Sequence, residues 1–489
     1  MVILFLVEFI PSVLSYIFLI LVSNYTNANI IGIMGFIITF STLLANISNI
    51  EIHVGMKRYL GKSVSENHWS NFKQISSAST LFVLFTSILI LLIFLNPFVN
   101  FLELFDINDV FIPIISIIVI GNNLNKIFIG IFSSALRTTS LILPSIISSV
   151  LRFLPLLFFI YVDDLTEISI FWSYNIFYIG IIISSLIAIS SFFMKLDGKS
   201  LKNIIFNIKL VIKGSLASWT TGLISTIGTK LNILVIFSTH GASDSGLFFI
   251  PWIIFMALMM LVNAITQIIH PIFSGFEDSD QQLILLRRTM KLGFLTTIPV
   301  FSIVYFYAES ILTIFAPEFI ITNDTFAILL VSFPLMIFND IVFYLFYARG
   351  KYNYVFYIGL ITNIPRILLY FVLIPEFGNI GAAWAFTIGT FFQTSITFFL
   401  IRKSKISLQY FHYLSLVFIP LFIGYIFDQI NLGILGIIII FIISYIVFLK
   451  LKLFAEDDIE NYLQLFSSKE QITERKNKIV KILKYCKLY

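Results

Sequence analysis

Three cationic side chains lie within apolar stretches of the sequence, where charges are rare. Arg152 is about eleven residues into its stretch, Lys230 about fifteen and Arg366 about twelve, so none reaches a membrane surface easily. A charge at the centre of a bilayer costs roughly 3 kcal/mol, and such residues usually face a water-filled pathway. Because these groups need anions, and because a planar guanidinium suits phosphate oxygens, the three residues predict a binding site for an anionic substrate.

Two carboxylates, Glu8 and Asp340, also lie within apolar stretches. An intramembrane carboxylate is a candidate site for ion coupling, so Asp340 and Glu8 are the residues we expect to bind H⁺ or Na⁺ if transport is coupled to an ion gradient. The alternative is structural, with Arg152 paired to Glu8 and Arg366 paired to Asp340. Since the apolar stretches contain three cations and two carboxylates, at least one cation is left without a carboxylate partner and can bind an anionic ligand.

The composition determines the class of protein. Apolar residues make up 58% of the 489 residues and charged residues 12%, and the mean hydropathy is +0.99, which excludes a soluble domain of this length. We predict an all-α polytopic membrane protein with about 14 transmembrane helices, each of about 20 residues. The first segment has neither a basic n-region nor a cleavage site, so we expect it to stay in the mature protein. The segments start near Ile3, Ile30, Gln74, Val110, Leu141, Ile168, Leu216, Leu247, Leu292, Thr325, Tyr354, Ile380, Ile406 and Leu432.

The charges in the loops predict the orientation in the membrane. The seven loops after odd-numbered segments contain no Lys or Arg, although together they hold 12 acidic residues. Since Lys and Arg are retained on the cytoplasmic side, both termini are predicted to be cytoplasmic in a multi-pass protein of the cell membrane. The cations assigned to the alternate, cytoplasmic loops are Lys57, Arg58, Lys62, Lys73, Lys126, Arg137, those from Lys195 to Lys213, Arg287, Arg288, Lys291, Arg349, Lys351, Arg402, Lys403 and Lys405.

An offset of 214 residues indicates an internal repeat. It superposes SSVLRFLPLLFFI, which contains Arg152, on TNIPRILLYFVLI, which contains Arg366, and so places the fifth segment on the eleventh. We therefore predict two pseudo-symmetric six-helix lobes plus two C-terminal helices. The predicted parts are an N-lobe (1–193, helices 1–6), a cytoplasmic linker (194–213), a C-lobe (214–401, helices 7–12), helices 13 and 14 (402–450) and a basic cytoplasmic tail (451–489).

Three stretches resemble a known superfamily. FYARGKYNYVFYIGLITNIPRILLYFVLIPEFGNIGAAWAFTIG (346–389) is similar to the late-repeat signature of the polysaccharide-exporter branch of the multidrug, oligosaccharidyl-lipid and polysaccharide (MOP) flippase superfamily. Residues 31–62 resemble the second helix and its basic exit, and residues 246–274 resemble the eighth helix. The resemblance implies a flippase that moves polyprenyl-linked sugars through a cationic cavity between two six-helix lobes.

We therefore expect a flippase that carries a polyprenyl-phosphate- or polyprenyl-diphosphate-linked oligosaccharide from the cytoplasmic to the outer leaflet by alternating access. Its partners would be the anionic glycan lipid, membrane lipids, glycosyltransferases and a glycan polymerase or transferase, with no role for nucleic acid. The alternative is an ion-coupled antiporter of drugs or small molecules with the same fold. A third candidate is a membrane glycan polymerase or glycosyltransferase.

Motifs for catalysis and metal binding are missing from the sequence. It contains no H-E-x-x-H, Walker or G-x-S-x-G motif, so we expect a transporter and not an enzyme. The single cysteine, Cys486, lies in the tail, and the five histidines, among them His53, lie at segment ends or in loops. These positions predict no metal site and no cofactor apart from a coupling H⁺ or Na⁺.

Overall fold

A computed structural model describes residues 2–95, 102–194, 203–275, 278–430, 433–451 and 453. All regular secondary structure in these ranges is helical, as predicted. In chain order the α-helices are α1 (Val2–Tyr25), α2 (Ala28–Asn49), α3 (Ile52–Ser65), α4 (Trp69–Phe94), α5 (Ile112–Ser134), α6 (Thr139–Leu151), α7 (Phe153–Tyr161), α8 (Glu167–Phe193), α9 (Ile204–Gly275), α10 (Ser279–Phe306), α11 (Ala308–Phe315), α12 (Asn323–Val331), α13 (Phe333–Ala348), α14 (Tyr352–Lys403), α15 (Tyr410–Ile430) and α16 (Ile434–Lys450).

The described helices contain enough apolar length for a polytopic membrane protein. Ten helical stretches are long and apolar enough to span a bilayer, and shorter apolar helices lie at Phe9–Tyr25 and Leu435–Lys450. Two of the ten, Ser218–Thr266 and Tyr352–Lys403, are each divided by one glycine with non-helical backbone angles. Counting each divided stretch as two and adding the two shorter helices gives the predicted fourteen segments.

The glycine at the division of α14 allows a sharp reversal of the chain. Gly378 has φ +53°, and an added Cβ at Gly381 would lie 2.2 Å from the carbonyl oxygen of Leu373. In a straight helix two residues eight positions apart are separated by about 12 Å. The backbone therefore folds back on itself between Leu373 and Gly381, which makes α14 two antiparallel spans joined by a tight turn.

Prolines break two other spans at polar residues. Pro155 has no N–H for the carbonyl of Leu151, four residues earlier, and α6 ends at Leu151. Arg152 occupies the resulting break, and α7 begins at the next residue. Pro334 has the same effect, since α12 ends at Val331 and α13 begins at Phe333.

The chain divides into two compact units by its internal contacts. Unit 1 comprises Met1–Ile250 and Ile367–Ala382, and unit 2 comprises Pro251–Arg366 and Ala383–Tyr489. The helices of unit 1 pack mainly through α5, which contacts α2, α3, α4 and α8. One buried apolar core of this unit contains Met56, Leu60, Phe72, Phe128 and Phe192.

In unit 2, α10 is the central helix and packs against α13, α15 and α16. Ser302 on α10 donates to the carbonyl of Pro420 on α15 (2.7 Å), and Tyr445 on α16 donates to the carbonyl of Leu295 (3.0 Å). Helices α15 and α16 are thus attached within unit 2 by hydrogen bonds, of which that of Ser302 is buried, as well as by apolar packing.

Several details differ from the segments expected from the sequence. The region after the second segment, predicted as a loop, forms the amphipathic helix α3, and residues 204–213 of the predicted linker are the first turns of α9. The assignment of Lys126 to a cytoplasmic loop is wrong, because this residue lies inside α5. The predicted tail falls outside the described residues except for Leu451 and Leu453. The boundaries of the lobes, linker and tail stay a prediction.

Candidate functional site

A strained break between α2 and α3 is the first element of the candidate site. Ile50 (φ 51°) and Glu51 (φ 53°) both have left-handed backbone conformations. This conformation costs about 1–3 kcal/mol per residue for side chains other than glycine, and a β-branched residue rarely adopts it. The break is closed by bonds from the Val54 and Gly55 N–H groups to the Glu51 carbonyl (2.9 and 3.2 Å). It directs the chain so that Glu51 lies at the junction of the two helices.

Helix α9 closes one side of this junction. An added Cβ at Gly222 would lie 3.1 Å from Glu51 Oε1, so the carboxylate rests against the backbone of α9. Asn46 of α2 donates to Thr226 Oγ1 (3.4 Å), one turn further along α9. Lys230 follows after one more turn, and the spacing of four residues places Gly222, Thr226 and Lys230 on one helical face.

Helix α5 supplies a second lysine. Lys126 Nζ donates a hydrogen bond to Asn46 Oδ1, and its side chain is half-buried. The ammonium group attracts the Glu51 carboxylate and repels the ammonium group of Lys230, which is also half-buried. Lys57 of α3 is a further cation in electrostatic range of Glu51. Lys126 and Lys57 thus lie in electrostatic range of the Glu51 carboxylate, and Lys230 lies in range of Lys126.

A buried network of amides and hydroxyls holds α2, α4 and α5 together beside these charges. Asn123 of α5 donates to Ser48 Oγ on α2 and to Ser87 Oγ on α4, both at 2.8 Å. Asn49 donates to Asn123 Oδ1 (3.3 Å). Satisfied polar networks of this kind rigidify the helices that carry them. The positions of Asn46 and Lys126, each on one of these helices, are fixed accordingly.

The same network determines which ring nitrogen of His53 carries a hydrogen. Because Asn49 donates through Nδ2 to Asn123, its Oδ1 faces His53 Nδ1 at 2.9 Å. An amide oxygen only accepts, so Nδ1 carries the hydrogen and Nε2 of the neutral ring is an acceptor. Nε2 lies 3.6 Å from Glu51 Oε2. Two acceptors thus face each other unless a proton lies between them.

Burial determines where such a proton binds. Burial raises the pKa of the Glu51 carboxyl, and the Lys126 and Lys57 ammonium groups partly offset this effect. Burial together with repulsion from the same two lysines lowers the pKa of His53 to about 3. As the pH falls, Glu51 therefore takes up a proton before His53 does.

Arg152, the first of the predicted substrate ligands, is fully buried inside unit 1. Its guanidinium lies 5.4–5.6 Å from the ring centroids of Phe18, Phe153 and Phe177. It also donates to Ser15 Oγ (2.9 Å) and to the Pro11 carbonyl (3.3 Å) on α1. Cation–π contacts and two hydrogen bonds therefore solvate this charge within the protein. Its proposed pairing with Glu8 stays a prediction, because the Glu8 side chain lies outside the described structure.

Arg366 has a similar environment in unit 2. It is 2% exposed, and its guanidinium lies 4.0 Å from the ring centroid of Phe386. It donates to Thr390 Oγ1 (3.0 Å) and to Asn363 Oδ1 (3.5 Å). Gly389 makes room for the side chain, since an added Cβ there would lie 2.9 Å from Arg366 Nε.

Asp340 lies near this arginine. The two side chains interact electrostatically, and the neighbouring Asn339 is buried and donates to Thr394 Oγ1 (2.9 Å). Of the predicted site residues, the structure thus brings Arg366 and Asp340 together within unit 2. In unit 1, Lys230 interacts with Lys126 of α5, whereas Arg152 donates its hydrogen bonds to α1. The assignment of substrate binding to the three cations, and of ion coupling to Asp340 and Glu8, stays a prediction.

Sequence reasoning missed three residues of the candidate site, namely Glu51, His53 and Lys126. The sequence places His53 at a segment end or in a loop and gives no signal for Glu51, because the break in the helix at Ile50 has no proline or glycine to mark it. Lys126 had a usable signal: it follows Asn122, Asn123 and Asn125 in the polar cluster NNLNK inside an otherwise apolar stretch. Among the described residues no group of three or more His, Cys, Asp or Glu side chains is arranged to hold a metal ion.

A large apolar groove lies within unit 2. Its volume is about 1220 Å³, and it is lined by side chains from α10, α12, α13, α15 and α16. None of the lining residues in the described structure carries a charge. Phe418, Phe422 and Tyr425 on α15 are exposed along it, and Pro334 lines it at the start of α13. The groove suits a long hydrocarbon chain.

Comparisons with known proteins identify the fold. No family profile matches the sequence, and no curated protein sequence matches it. Among solved structures, the lipid II flippase MurJ in an inward closed conformation is similar over 91% of this chain and 98% of its own, with a TM-score of 0.71 and 15% identity. An inward-facing multidrug resistance MATE family transporter of the MOP superfamily has a TM-score of 0.62 and 14% identity, over 81% of this chain and 94% of its own.

A third structure, a MOP superfamily transporter from Pyrococcus furiosus Vc1 (DSM3638) described as having a binding pocket of reverse polarity, has a TM-score of 0.57 and 14% identity over 85% of this chain and 94% of its own. This chain therefore has the fold that the lipid II flippase shares with MATE transporters, which is the fold that the sequence resemblance predicted. At these identities the similarity establishes the fold alone.

Proposed function

We propose that this protein is a flippase that carries a polyprenyl-phosphate- or polyprenyl-diphosphate-linked oligosaccharide from the cytoplasmic to the outer leaflet of the cell membrane. The observation that carries the proposal is a cluster of Glu51 and three lysines, in which Lys126 and Lys57 lie in electrostatic range of the Glu51 carboxylate and Lys230 lies in range of Lys126. With His53 neutral, this cluster has an excess of positive charge. A diphosphate would neutralise it, with ammonium groups and the Asn46 amide as hydrogen-bond donors.

The groove in unit 2 supports a lipid-linked substrate. A polyprenyl chain is apolar and long, and in a flippase it stays in contact with lipid while the headgroup crosses. The exposed aromatic side chains of α15 and the absence of charge along the described lining suit such a chain. Helices α15 and α16, which build this groove, follow the twelve segments of the two predicted lobes.

The fold comparison supports the same function. The similarity to the lipid II flippase extends over a larger share of this chain than the similarity to the MATE transporter, 91% against 81%. Both are transport proteins by description, and neither description is of an enzyme. We propose alternating access through a cationic cavity as the mechanism, with cytoplasmic termini, and with glycosyltransferases and a glycan polymerase or transferase as functional partners.

The roles of the buried cations differ in this proposal. Lys230, with Lys126, binds the headgroup. Arg152 and Arg366 hold helices in position, because the hydrogen bonds and aromatic contacts of each already solvate its charge. The carboxylates Asp340 and Glu8 are candidates for binding a coupling H⁺ or Na⁺.

The test is flipping of a fluorescent lipid-linked oligosaccharide by purified protein in vesicles. We expect the wild type to expose the fluorophore to an external quencher. Lys230→Gln and Lys126→Gln should each slow flipping about tenfold or more, since each removes a charge-assisted hydrogen bond of about 1.5–3 kcal/mol. Lys405→Gln, the same charge change at an exposed residue, is the matched control. Wild-type rates in both cluster variants would contradict the proposal.

An ion-coupled antiporter of drugs or small molecules is the second candidate. The proximity of Asp340 to Arg366 in unit 2 and the similarity to the MATE transporter support it. It predicts extrusion of organic cations driven by an H⁺ or Na⁺ gradient, lost in Asp340→Asn. Gradient-driven cation efflux together with no flipping of the lipid-linked sugar would favour this candidate over the first.

A further inference from the structure

We propose that Glu51 is a proton-binding site linked to the anion site: it takes up a proton when an anionic headgroup binds Lys126 and Lys230, and releases it when the headgroup leaves. The inference rests on the proposed anion site and adds a second ligand, the proton, with a named position. It also assigns proton linkage to a residue other than Asp340 and Glu8.

The position of Glu51 is fixed by the fold. The left-handed break at Ile50 and Glu51 places the carboxylate at the junction of α2 and α3, and the backbone of α9 at Gly222 lies directly against it. The side chain is 23% exposed, so a proton can reach it while most of its surface is removed from water.

The charged and titratable groups around Glu51 come from each helix that packs at the junction. Lys126 of α5 and Lys57 of α3 lie in electrostatic range of Glu51, His53 of α3 lies 3.6 Å from it, and Lys230 of α9 lies in range of Lys126. Helix α2 contributes the neutral amide of Asn46. In the empty site, attraction by Lys126 and Lys57 offsets part of the rise in the Glu51 pKa that burial causes.

An anion on the lysines removes this attraction. The bound phosphate neutralises Lys126 and Lys230 and adds a negative charge near the carboxylate, so that burial and repulsion both favour the protonated form of Glu51. By linkage, protonation of Glu51 must strengthen anion binding by the same factor by which the anion strengthens proton binding. Anion and proton therefore bind together, and leave together.

His53 stabilises the protonated form. Its Nδ1 hydrogen is committed to Asn49, so Nε2 is an acceptor 3.6 Å from Glu51 Oε2. A protonated Glu51 can donate to this nitrogen after a small movement, whereas an ionised Glu51 faces it as a second acceptor. The ring itself stays neutral because burial, the largest cause of its low pKa, is unchanged when the anion binds.

The experiment is calorimetric binding of a farnesyl diphosphate-linked hexose to the full-length protein in nanodiscs. Both phosphates of this probe are diesters and stay ionised between about pH 5 and pH 8, so proton uptake reports on the protein. Measurement in two buffers of different ionisation enthalpy counts the protons. For the wild type we expect uptake of up to one proton per bound probe. The affinity for the probe should then fall by up to tenfold for each unit by which the pH rises.

Glu51→Gln should bind the probe with no proton uptake and with a nearly constant affinity over the same pH range. Glu66→Gln, which removes an exposed carboxylate at the end of α3, is the matched control and should keep the wild-type proton uptake. Glu51→Asp, which keeps a titratable group, should retain a linked proton and serves as a second variant if Glu51→Gln does not fold.

Two outcomes overturn the inference, and they are distinguishable. Binding of the probe without proton uptake by the wild type, or unchanged uptake in Glu51→Gln, refutes the role of Glu51 and leaves the anion site intact. Absence of binding by wild type, Glu66→Gln and Glu51→Asp alike refutes the anion site, and the proton linkage with it.

Discussion

Replacement of Arg152 distinguishes a structural role from substrate contact. The guanidinium contacts three aromatic rings and makes two hydrogen bonds to α1, and the residue is 0% exposed. Each desolvated cation–π contact contributes about 0.5–2 kcal/mol, and each hydrogen bond from a charged donor about 1.5–3 kcal/mol. The desolvation of a buried cation opposes this gain by several kcal/mol.

The net effect should therefore depend on the volume of the replacement. In Arg152→Met the side chain fills most of the site, and Ser15 still donates to the Pro11 carbonyl (2.8 Å), so we expect a loss of about 1–3 kcal/mol. Arg152→Ala also leaves a cavity among the three rings, which increases the loss of stability by about 2–5 kcal/mol. Thermal unfolding of purified protein should give the order wild type, Arg152→Met, Arg152→Ala from most to least stable.

Flipping assays on the same samples complete the test. If Arg152 only positions helices, Arg152→Met should flip the lipid-linked sugar at a rate close to that of the wild type below its unfolding temperature. Unchanged stability in Arg152→Ala would refute the packing argument. A stable Arg152→Met that binds no substrate would restore the substrate-binding role predicted from the sequence.

Three further changes have defined outcomes. In Gly246→Ala the new Cβ would lie 1.8 Å from the Ala28 carbonyl oxygen, so monodisperse protein should be lost, whereas Gly359→Ala, which has open space around it, should purify normally. Because burial raises the pKa of Glu51, its ionisation destabilises the folded protein as the pH rises, and Glu51→Gln should raise the melting temperature at pH 8 more than at pH 5. Equal shifts at both values would contradict that sign. Asn123→Leu should lower stability by about 1–3 kcal/mol in a denaturation series, since it leaves Asn49 Nδ2 without its acceptor.

The helical segments were predictable because the membrane imposes their length and polarity. The predicted segment starts near Leu247 and Ile380 lie just after the dividing glycines Gly241 and Gly378. In each case the helix is interrupted only at that glycine. The length of the apolar stretches predicts the segments, and the glycine-containing polar stretches THGASDSG and IPEFGN predict the turns between them.

The breaks within helices, and the residues that contact the buried charges, were less predictable from the sequence. A left-handed break at Ile50 contradicts local propensity, so only the packing of α2 and α3 against α5 and α9 explains it. The aromatic partners of Arg152 could not be predicted, because sequence spacing does not show that Phe18 and Phe177 lie over its guanidinium. Lys126 was misplaced because it lies near the end of its segment, where a loop lysine and an inward-facing lysine have the same hydropathy signature.

The most direct measurement locates the bound headgroup. A photoreactive residue in place of Thr226, between Gly222 and Lys230 on the face of α9, should cross-link to a lipid-linked oligosaccharide. We expect the yield to fall at least tenfold in the Lys126→Gln/Lys230→Gln background and to be unaffected by Lys405→Gln. Undiminished cross-linking in the double variant, or none at Thr226 with active wild-type flipping, would show that the headgroup crosses elsewhere.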